Sequence, residues 1–161
     1  MPSIYVLYGS QSGNSKEIIL EINSLLEERG ISTICSKLND CLSNSQGVFN
    51  FANNEDNLLI IVCSTHGNGD APETANHFWR KLKDRKLSHN FLSNCKYAVL
   101  GLGDTNYDKF CQMGKNIDRR LSELGAETVI ELHCADEAVG LEDVVEVFKK
   151  KIMEYIDNLL I

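Results

Sequence analysis

The amino-acid sequence predicts a doubly wound α/β domain built on a five-stranded parallel sheet. Three observations carry that expectation. Continuous runs of apolar, β-prone residues alternate along the 161-residue chain with segments whose apolar residues recur at helical spacing. Each run is followed by a crossover rather than a hairpin turn, which makes neighbouring strands parallel and places helices on both faces. The turns after the first, third, fourth and fifth runs are GSQSGNS, STHGNGDAP, GDTNYDKF and HCADEAVG. All four are polar, and in such sheets ligands gather beyond the carboxyl ends of the strands.

The elements follow in order. IYVLY (4–8) reads as a fully buried strand, and Ile18, Ile19, Ile22, Leu25 and Leu26 then mark one face of a helix that Gly30 closes. ISTIC (31–35) and NLLIIVC (57–63) are the next strands. Between them, residues 38–56 lack a clear period and read as loop with one short helix. A helix through TANHFWRKLK leads to the strand KYAVLGL (96–102). Phe110, Met113, Ile117, Leu121 and Leu124 share the face of a third helix closed by Gly125, and ETVIEL (127–132) is the fifth strand. The last helix carries the stripe Leu141, Val144, Val145, Phe148, Ile152, Tyr155 and Ile156.

Composition narrows the function. The length suits one domain over residues 1–161, large enough to bury a core without a metal or disulfide staple. A net charge of -7 argues against nucleic acid, whose phosphates it would repel. No apolar run approaches the ~20 residues of a membrane helix. The N-terminus MPSIYVLY has neither the basic start nor the apolar core of a secretion signal. The six cysteines form no CxxC pair, which suits a reducing compartment, so the expectation is a cytoplasmic protein without a metal site.

The four turns define the chemistry. SQSGNS offers side-chain partners from Ser10, Ser12, Asn14 and Ser15 and free N–H groups at a helix N-terminus, where the helix dipole favours an anion such as phosphate. Helix capping accounts for one of those residues, not four. A nucleoside-triphosphate loop needs G-x4-G-K-[ST]. Here Gly9 and Gly13 are only four apart, and Lys16 is followed by Glu17 rather than a hydroxyl. The dinucleotide fingerprint G-x-G-x-x-G is absent from the first turn, and a phosphoryl receiver would need a carboxylate at the end of strand three, where Cys63, Ser64 and Thr65 stand. What remains is a mononucleotide with a terminal phosphate. Gly67 and Gly69 permit close backbone approach, and the ring of Tyr107 can stack on a flat ligand.

Together, S-x-[ST]-G-x-[ST] after the first strand, ST-x-G-x-GD-x-P after the third, GLGD-x-x-Y-x-x-F with GK-x-I-D-x-RL-x-ELGA after the fourth, and AD-x-x-VGLE near the end resemble the flavodoxin-like FMN domain of the diflavin reductases. The resemblance covers nearly the whole chain. GLGDTNYDKFCQMGKNIDRRLSELGA and HCADEAVGLEDVVE look most like the methionine synthase reductase branch, while YGSQSG and NHFWRKL are similar to the branch that serves iron-sulfur assembly.

The resemblance implies strand order 2-1-3-4-5 and FMN as cofactor. Ser10, Gln11, Ser12, Gly13, Asn14 and Ser15 would hold the ribityl phosphate. Ser64, Thr65, His66, Gly67, Asn68 and Gly69 would edge the isoalloxazine, with the Gly67 carbonyl meeting the N5 hydrogen after one-electron uptake. Leu102, Gly103, Asp104, Thr105, Asn106, Tyr107, Phe110 and Cys111 would form the opposite wall, and Asp136 would close the site. Microsomal members carry a tyrosine where this chain has His66, whose neutral imidazole can stack on the inner flavin face.

The function so implied is an electron relay, drawing on an FAD/NADPH reductase module in the same or a separate chain. From Glu131 to Phe148 the sequence holds six acids and no Lys or Arg. A basic-faced redox acceptor docking on Asp136, Glu137, Glu142 and Asp143 is therefore expected, with no nucleic acid or membrane partner. The competing class is a flavodoxin-like binding module that has lost its flavin.

Overall fold

The structure, a computed structural model, describes residues 1–42 and 49–161. Strands β1 (Ser3–Gly9), β2 (Thr33–Lys37), β3 (Asn57–Ser64), β4 (Cys95–Gly103), β5 (Glu127–Thr128) and β6 (His133–Asp136) form one sheet. Helices α1 (Asn14–Glu28), α2 (Asn76–Leu82), α3 (Gln112–Glu123) and α4 (Glu142–Leu159) cover it. The order is β2-β1-β3-β4-β5 with β6 also on β4, every pair parallel, as the resemblance implies.

A parallel sheet covered on both sides needs strands that are apolar at every position. β3 meets this requirement from Leu58 to Cys63, and all eight of its residues are buried. Successive side chains alternate between two layers. Tyr5, Leu7, Leu59 and Ile61 pack against Phe78 of α2 and Met113, Ile117 and Leu121 of α3. Ile4, Val6, Leu58 and Ile60 pack against Ile19 and Ile22 of α1 and Phe148 and Ile152 of α4. No described helix is long and apolar enough to cross a membrane.

Two helices end in the same way. After α1, Gly30 donates to Glu27 O at 2.9 Å and Ile31 to Leu26 O at 3.1 Å; after α3, Gly125 donates to Ser122 O at 3.1 Å and Ala126 to Leu121 O at 3.0 Å. These are Schellman caps, each closed by a buried apolar residue. The cap explains why β2 starts at Thr33, two residues later than ISTIC suggests: the N–H of Ile31 is used by the helix.

The other departures are local. The third helix starts at Gln112, leaving Phe110 half-buried in the preceding turn with the Lys115 ammonium 5.5 Å from its ring centroid. Within the irregular 38–56 stretch, Leu38–Cys41 is a short 3-10 helix, and Asn39 Oδ1 caps α2 by accepting the N–H groups of His77 and Phe78, both at 3.0 Å. The part of that stretch at 43–48 lies outside the described residues.

The predicted fifth strand is two short strands. Lys96 pairs with Glu127, an offset of 31 residues, whereas Leu100 pairs with His133, an offset of 33, so two extra residues are bowed out between them. The first piece ends where Val129 donates to Tyr97 O and the Thr128 hydroxyl turns to Ile130 O at 2.8 Å, replacing ladder pairing with a local bond.

α3 lies directly on β4: a Cβ on Gly114 would stand 2.7 Å from the Cα of Gly101. Backbone on both sides cannot yield as a flexible side chain would. Gly114→Ala is therefore expected to lower stability by about 1–3 kcal/mol, read as a lower urea midpoint with an unchanged slope.

Candidate functional site

The polar turns converge on the carboxyl rim of β1, β3, β4 and β6. In the first, the chain leaves β1 at Gly9, and Ser10 is fixed in two directions. Its N–H donates to the Thr74 hydroxyl at 2.7 Å, and its own hydroxyl accepts the N–H of Gly13 at 2.6 Å. Gly13 sits at φ +100°, so the chain turns sharply into α1. The first residue of α1 to bond back is Glu17, to Gly13 O at 3.0 Å. The N–H groups of Asn14, Ser15 and Lys16 consequently have no acceptor within the helix.

Ser15 does not present its hydroxyl to a ligand. It is fully buried and shares a 2.7 Å hydrogen bond with the hydroxyl of Ser64, at the end of β3. Gln11 Oε1 accepts the N–H of Glu73 at 3.2 Å, and Asn14 Nδ2 donates to Glu137 at 3.3 Å. Of the turn's hydroxyls, Ser12 alone is exposed.

The second turn is a tight hairpin. His66 N–H donates to Asp70 O at 2.8 Å and Asp70 N–H returns to His66 O at 2.9 Å, with Gly67 at φ +53° and Gly69 at φ +108°. His66, Gly67 and Asn68 stand exposed at its tip. Below it, the Thr65 hydroxyl accepts the N–H of Met113 at 3.0 Å and caps the first turn of α3.

The third turn runs outward from Gly103. Asp104 Oδ1 accepts the N–H of Asn106 at 2.8 Å, Tyr107 N–H donates to Asp104 O at 3.0 Å, and the Tyr107 side chain is 59% exposed. Asp136 clasps this loop: one carboxylate oxygen accepts the N–H groups of Thr105 at 3.1 Å and Ala138 at 2.9 Å, and the other accepts the Thr105 hydroxyl at 2.6 Å. These donors, the Thr105 hydroxyl first, hold the Asp136 carboxyl below the usual carboxylate range. The clasp is thus intact at neutral pH and is lost only as pH falls through that lowered value. Asp136 positions the loop with its charge already satisfied.

Between the second and third turns lies a cavity of about 220 Å³ lined by Thr65, Gly67, Gly103, Asp104, Tyr107, Lys109 and Glu137. Leu102 and Cys111 lie beneath it, fully buried. Three residues here are absent from the cofactor-site set that the sequence implies, although Glu137 belongs to its docking patch. Lys109 brings the one cation to the lining, and its Cβ and Cγ lie 3.3 Å from where a Cβ on Gly69 would be. Glu137 reaches both the cavity and Asn14, and Thr74 braces Ser10. Lys109 and Glu137 fall at variable positions of the GDTNYDKF and HCADEAVG turns, and Thr74 lies just beyond the second turn, so each had a motif beside it.

The acidic rim is smaller than the charge run implies. Lys149 pairs with Glu146 at 2.7 Å and Lys151 with Glu131, returning two cations from α4 to the acids. Glu137, Glu142 and Asp143 have no ion-pair partner among the described residues.

Cys111 and Cys134 meet under the third turn. Cys134 faces Gly101 across the ladder, and the Cys111 sulfur lies 3.7 Å from where a Cβ on Gly101 would be, so the missing side chain leaves room for both thiols. The Cys111 thiol donates to Ala135 O at 3.8 Å, and its hydrogen bonding with Cys134 pushes the Cys134 thiol down and the Cys111 thiol up.

The flavodoxin family model matches residues 6–150 of the chain. Methionine synthase reductase of Bos taurus is 41% identical over 146 residues, 91% of this chain and 20% of that protein. NADPH-dependent diflavin oxidoreductase 1 of Arabidopsis thaliana is 35% identical over 134 residues, 83% of this chain and 20% of that protein. The chain thus spans about a fifth of the length of these curated relatives. Among solved structures, oxidised Flavodoxin 2 from Bacillus cereus superimposes with a TM-score of 0.70 at 26% identity, covering 97% of this chain and 99% of that one.

The thiol geometry has a measurable consequence. The neighbouring Cys111 thiol holds Cys134 below the ordinary thiol range, whereas burial pushes the thiols of Cys41, Cys63 and Cys95 up. Mass-spectrometric mapping of iodoacetamide labelling near pH 7.5 should find Cys134 modified first, and Cys111→Ala should slow that labelling by removing its donor.

Proposed function

The chain belongs to the flavodoxin family, and we propose that it is an FMN-binding electron-transfer domain that passes electrons from a reduced FAD/NADPH module to a downstream redox acceptor. The crevice supports this reading above all. An exposed aromatic ring, Tyr107, and a glycine hairpin at Gly67–Gly69 line one slot beside a helix N-terminus whose amides lack partners within the helix. A flat ring with a phosphorylated tail fits that combination. A nucleoside triphosphate does not, since no lysine and hydroxyl pair follows the turn.

In this reading FMN supplies one-electron transfer when bound, and the chain supplies everything that directs it. The N–H groups of Gln11, Ser12, Asn14, Ser15 and Lys16, together with the Ser12 hydroxyl, bind the phosphate, while that of Gly13 stays on the Ser10 hydroxyl. Thr65 to Gly69 form one wall of the ring site, and Gly103 to Tyr107 form the other, held in place by the Asp136 clasp. Ser15, Ser64, Leu102 and Cys111 serve from below, through backbone groups and packing. Lys109 stands against Asp104 and Glu137 around the slot, so the lining holds more negative than positive charge. Such a lining opposes accumulation of negative charge on the ring and favours a strong electron donor.

The electron source and the acceptor are partners of this domain. Glu137, Glu142 and Asp143 form the acidic patch we assign to a basic-faced acceptor. Glu142 and Asp143 occupy the first turn of α4, where the helix dipole favours acidic side chains, and neither has an ion-pair partner among the described residues.

Two measurements test the proposal. FMN titrated against the apoprotein should bind one to one with quenched flavin fluorescence, and Tyr107→Ala should weaken binding by about tenfold, the worth of one aromatic stack. Absence of binding, or equal affinity for the variant, contradicts the site. Electron transfer from the reduced domain to a cationic acceptor protein should slow as salt rises, and Glu142→Lys with Asp143→Lys should flatten that dependence; a flat dependence in the native protein removes the patch.

A further inference from the structure

The acidic character of this chain conceals a strongly basic face. Residues 80–120 carry ten of the 16 Lys and Arg residues but only four of the 23 Asp and Glu residues. Among the described residues, Arg120 alone of those ten has an ion-pair partner, Glu123 at 3.5 Å. The pairing elsewhere is the reverse, with Arg29, Lys149 and Lys151 all neutralised by acids around α1, α4 and β6. Unpaired charge has therefore accumulated on the α2–α3 side.

That side is shaped as well as charged. An open groove of about 400 Å³ runs between the end of α2 and the second half of α3, lined by Trp79, Lys83, Arg85, Asn116 and Arg119 beside the Arg120–Glu123 pair. Arg120 makes its frame rigid: Nε donates to Leu82 O and Nη2 to Asp84 O, both at 2.8 Å, bolting the end of α2 to α3. Its charge is consumed in doing so. Among the described residues, Lys83, Arg85 and Arg119 make no ion pair, and all three are exposed. Trp79, the sole tryptophan of the chain, packs one side on the core and is only partly buried. Cations around a half-exposed indole match a ligand with carboxylates flanking an apolar group.

We infer that the α2–α3 groove docks an acidic protein segment, its carboxylates on Lys83, Arg85 and Arg119 and an apolar side chain over Trp79. A long polyanion is a poorer occupant, because beyond the groove it meets the field of a molecule with net charge -7, whereas a short segment stays within one screening length of the basic face. The location gives the contact its use. Arg119 is seven residues along α3 from Gln112, whose Cγ lies 3.4 Å from where a Cβ on Gly69 of the crevice hairpin would be, or about 10 Å at the rise of an α-helix. A segment bound there tethers the domain and leaves the crevice rim open to exchange electrons. That use rests on the electron-transfer reading, but the binding itself does not.

The test uses the 161-residue chain and a dye-labelled oligoglutamate peptide with one central leucine, followed by peptide anisotropy and by Trp79 emission. Saturable binding is expected, weakening with salt, with a change in Trp79 emission and the same affinity whether or not FMN is present. The double variant Arg85→Glu, Arg119→Glu should bind at least about tenfold more weakly while melting at the native temperature. Equal affinity of that variant, absence of binding, or equal binding of an oligolysine control overturns the inference. Tighter binding of a single-stranded oligonucleotide of the same charge also overturns it, by making the occupant a nucleic acid. Failure of FMN binding with intact peptide binding would count against the electron-transfer reading alone.

Discussion

The crevice depends on one buried hydrogen bond, between the hydroxyls of Ser15 and Ser64. It joins the first turn of α1 to the last residue of β3 beneath the rim, where both residues are buried. Losing either partner strands a buried hydroxyl, a cost of about 1–3 kcal/mol, and frees the helix start to shift against the sheet. With it in place, the amides at the start of α1 have a fixed direction. A helix terminus is an anion site only if it does not move, because the field of its dipole falls off within a turn.

The rest of the rim is built by the same device, each turn held by a hydrogen-bonding group from another. Thr74 holds Ser10, Thr65 holds the start of α3, and Asp136 holds the loop that carries Tyr107. Of the residues that make these bonds, Thr65 alone also lines the slot. Polar residues in the turns thus divide into those that shape the crevice and those that face it, and the first group is the larger. This division also explains why Tyr107 can remain exposed without collapsing into the core, since its loop is tied at both Asp104 and Thr105.

Much of this was legible from residue pattern. The continuous apolar runs of β1, β3 and β4 required burial on both faces, and Gly30 and Gly125 announced the helix ends. Three things were hidden, each for a physical reason. The break between β5 and β6 is set by a threonine choosing a local carbonyl, while the β-prone run ETVIEL shows no interruption there. The inward turn of Ser15 and the clasping role of Asp136 depend on partners 49 and 31 residues away, beyond any local pattern. The acidic run from Glu131 to Phe148 looked unbroken because the lysines that neutralise it, Lys149 and Lys151, return from the next turns of the same helix.

Charge and shape therefore sort the molecule into a polar rim for a phosphorylated ring, an acidic patch beside it and a basic groove away from it. The first of these rests on the free amides of α1. Their ¹H–¹⁵N resonances, followed while the apoprotein is titrated in parallel with FMN and with riboflavin, measure that directly. Phosphate held by these groups predicts large downfield shifts of the Asn14, Ser15 and Lys16 amide protons with FMN and small ones with riboflavin. Equal shifts with both, or none with either, would contradict it.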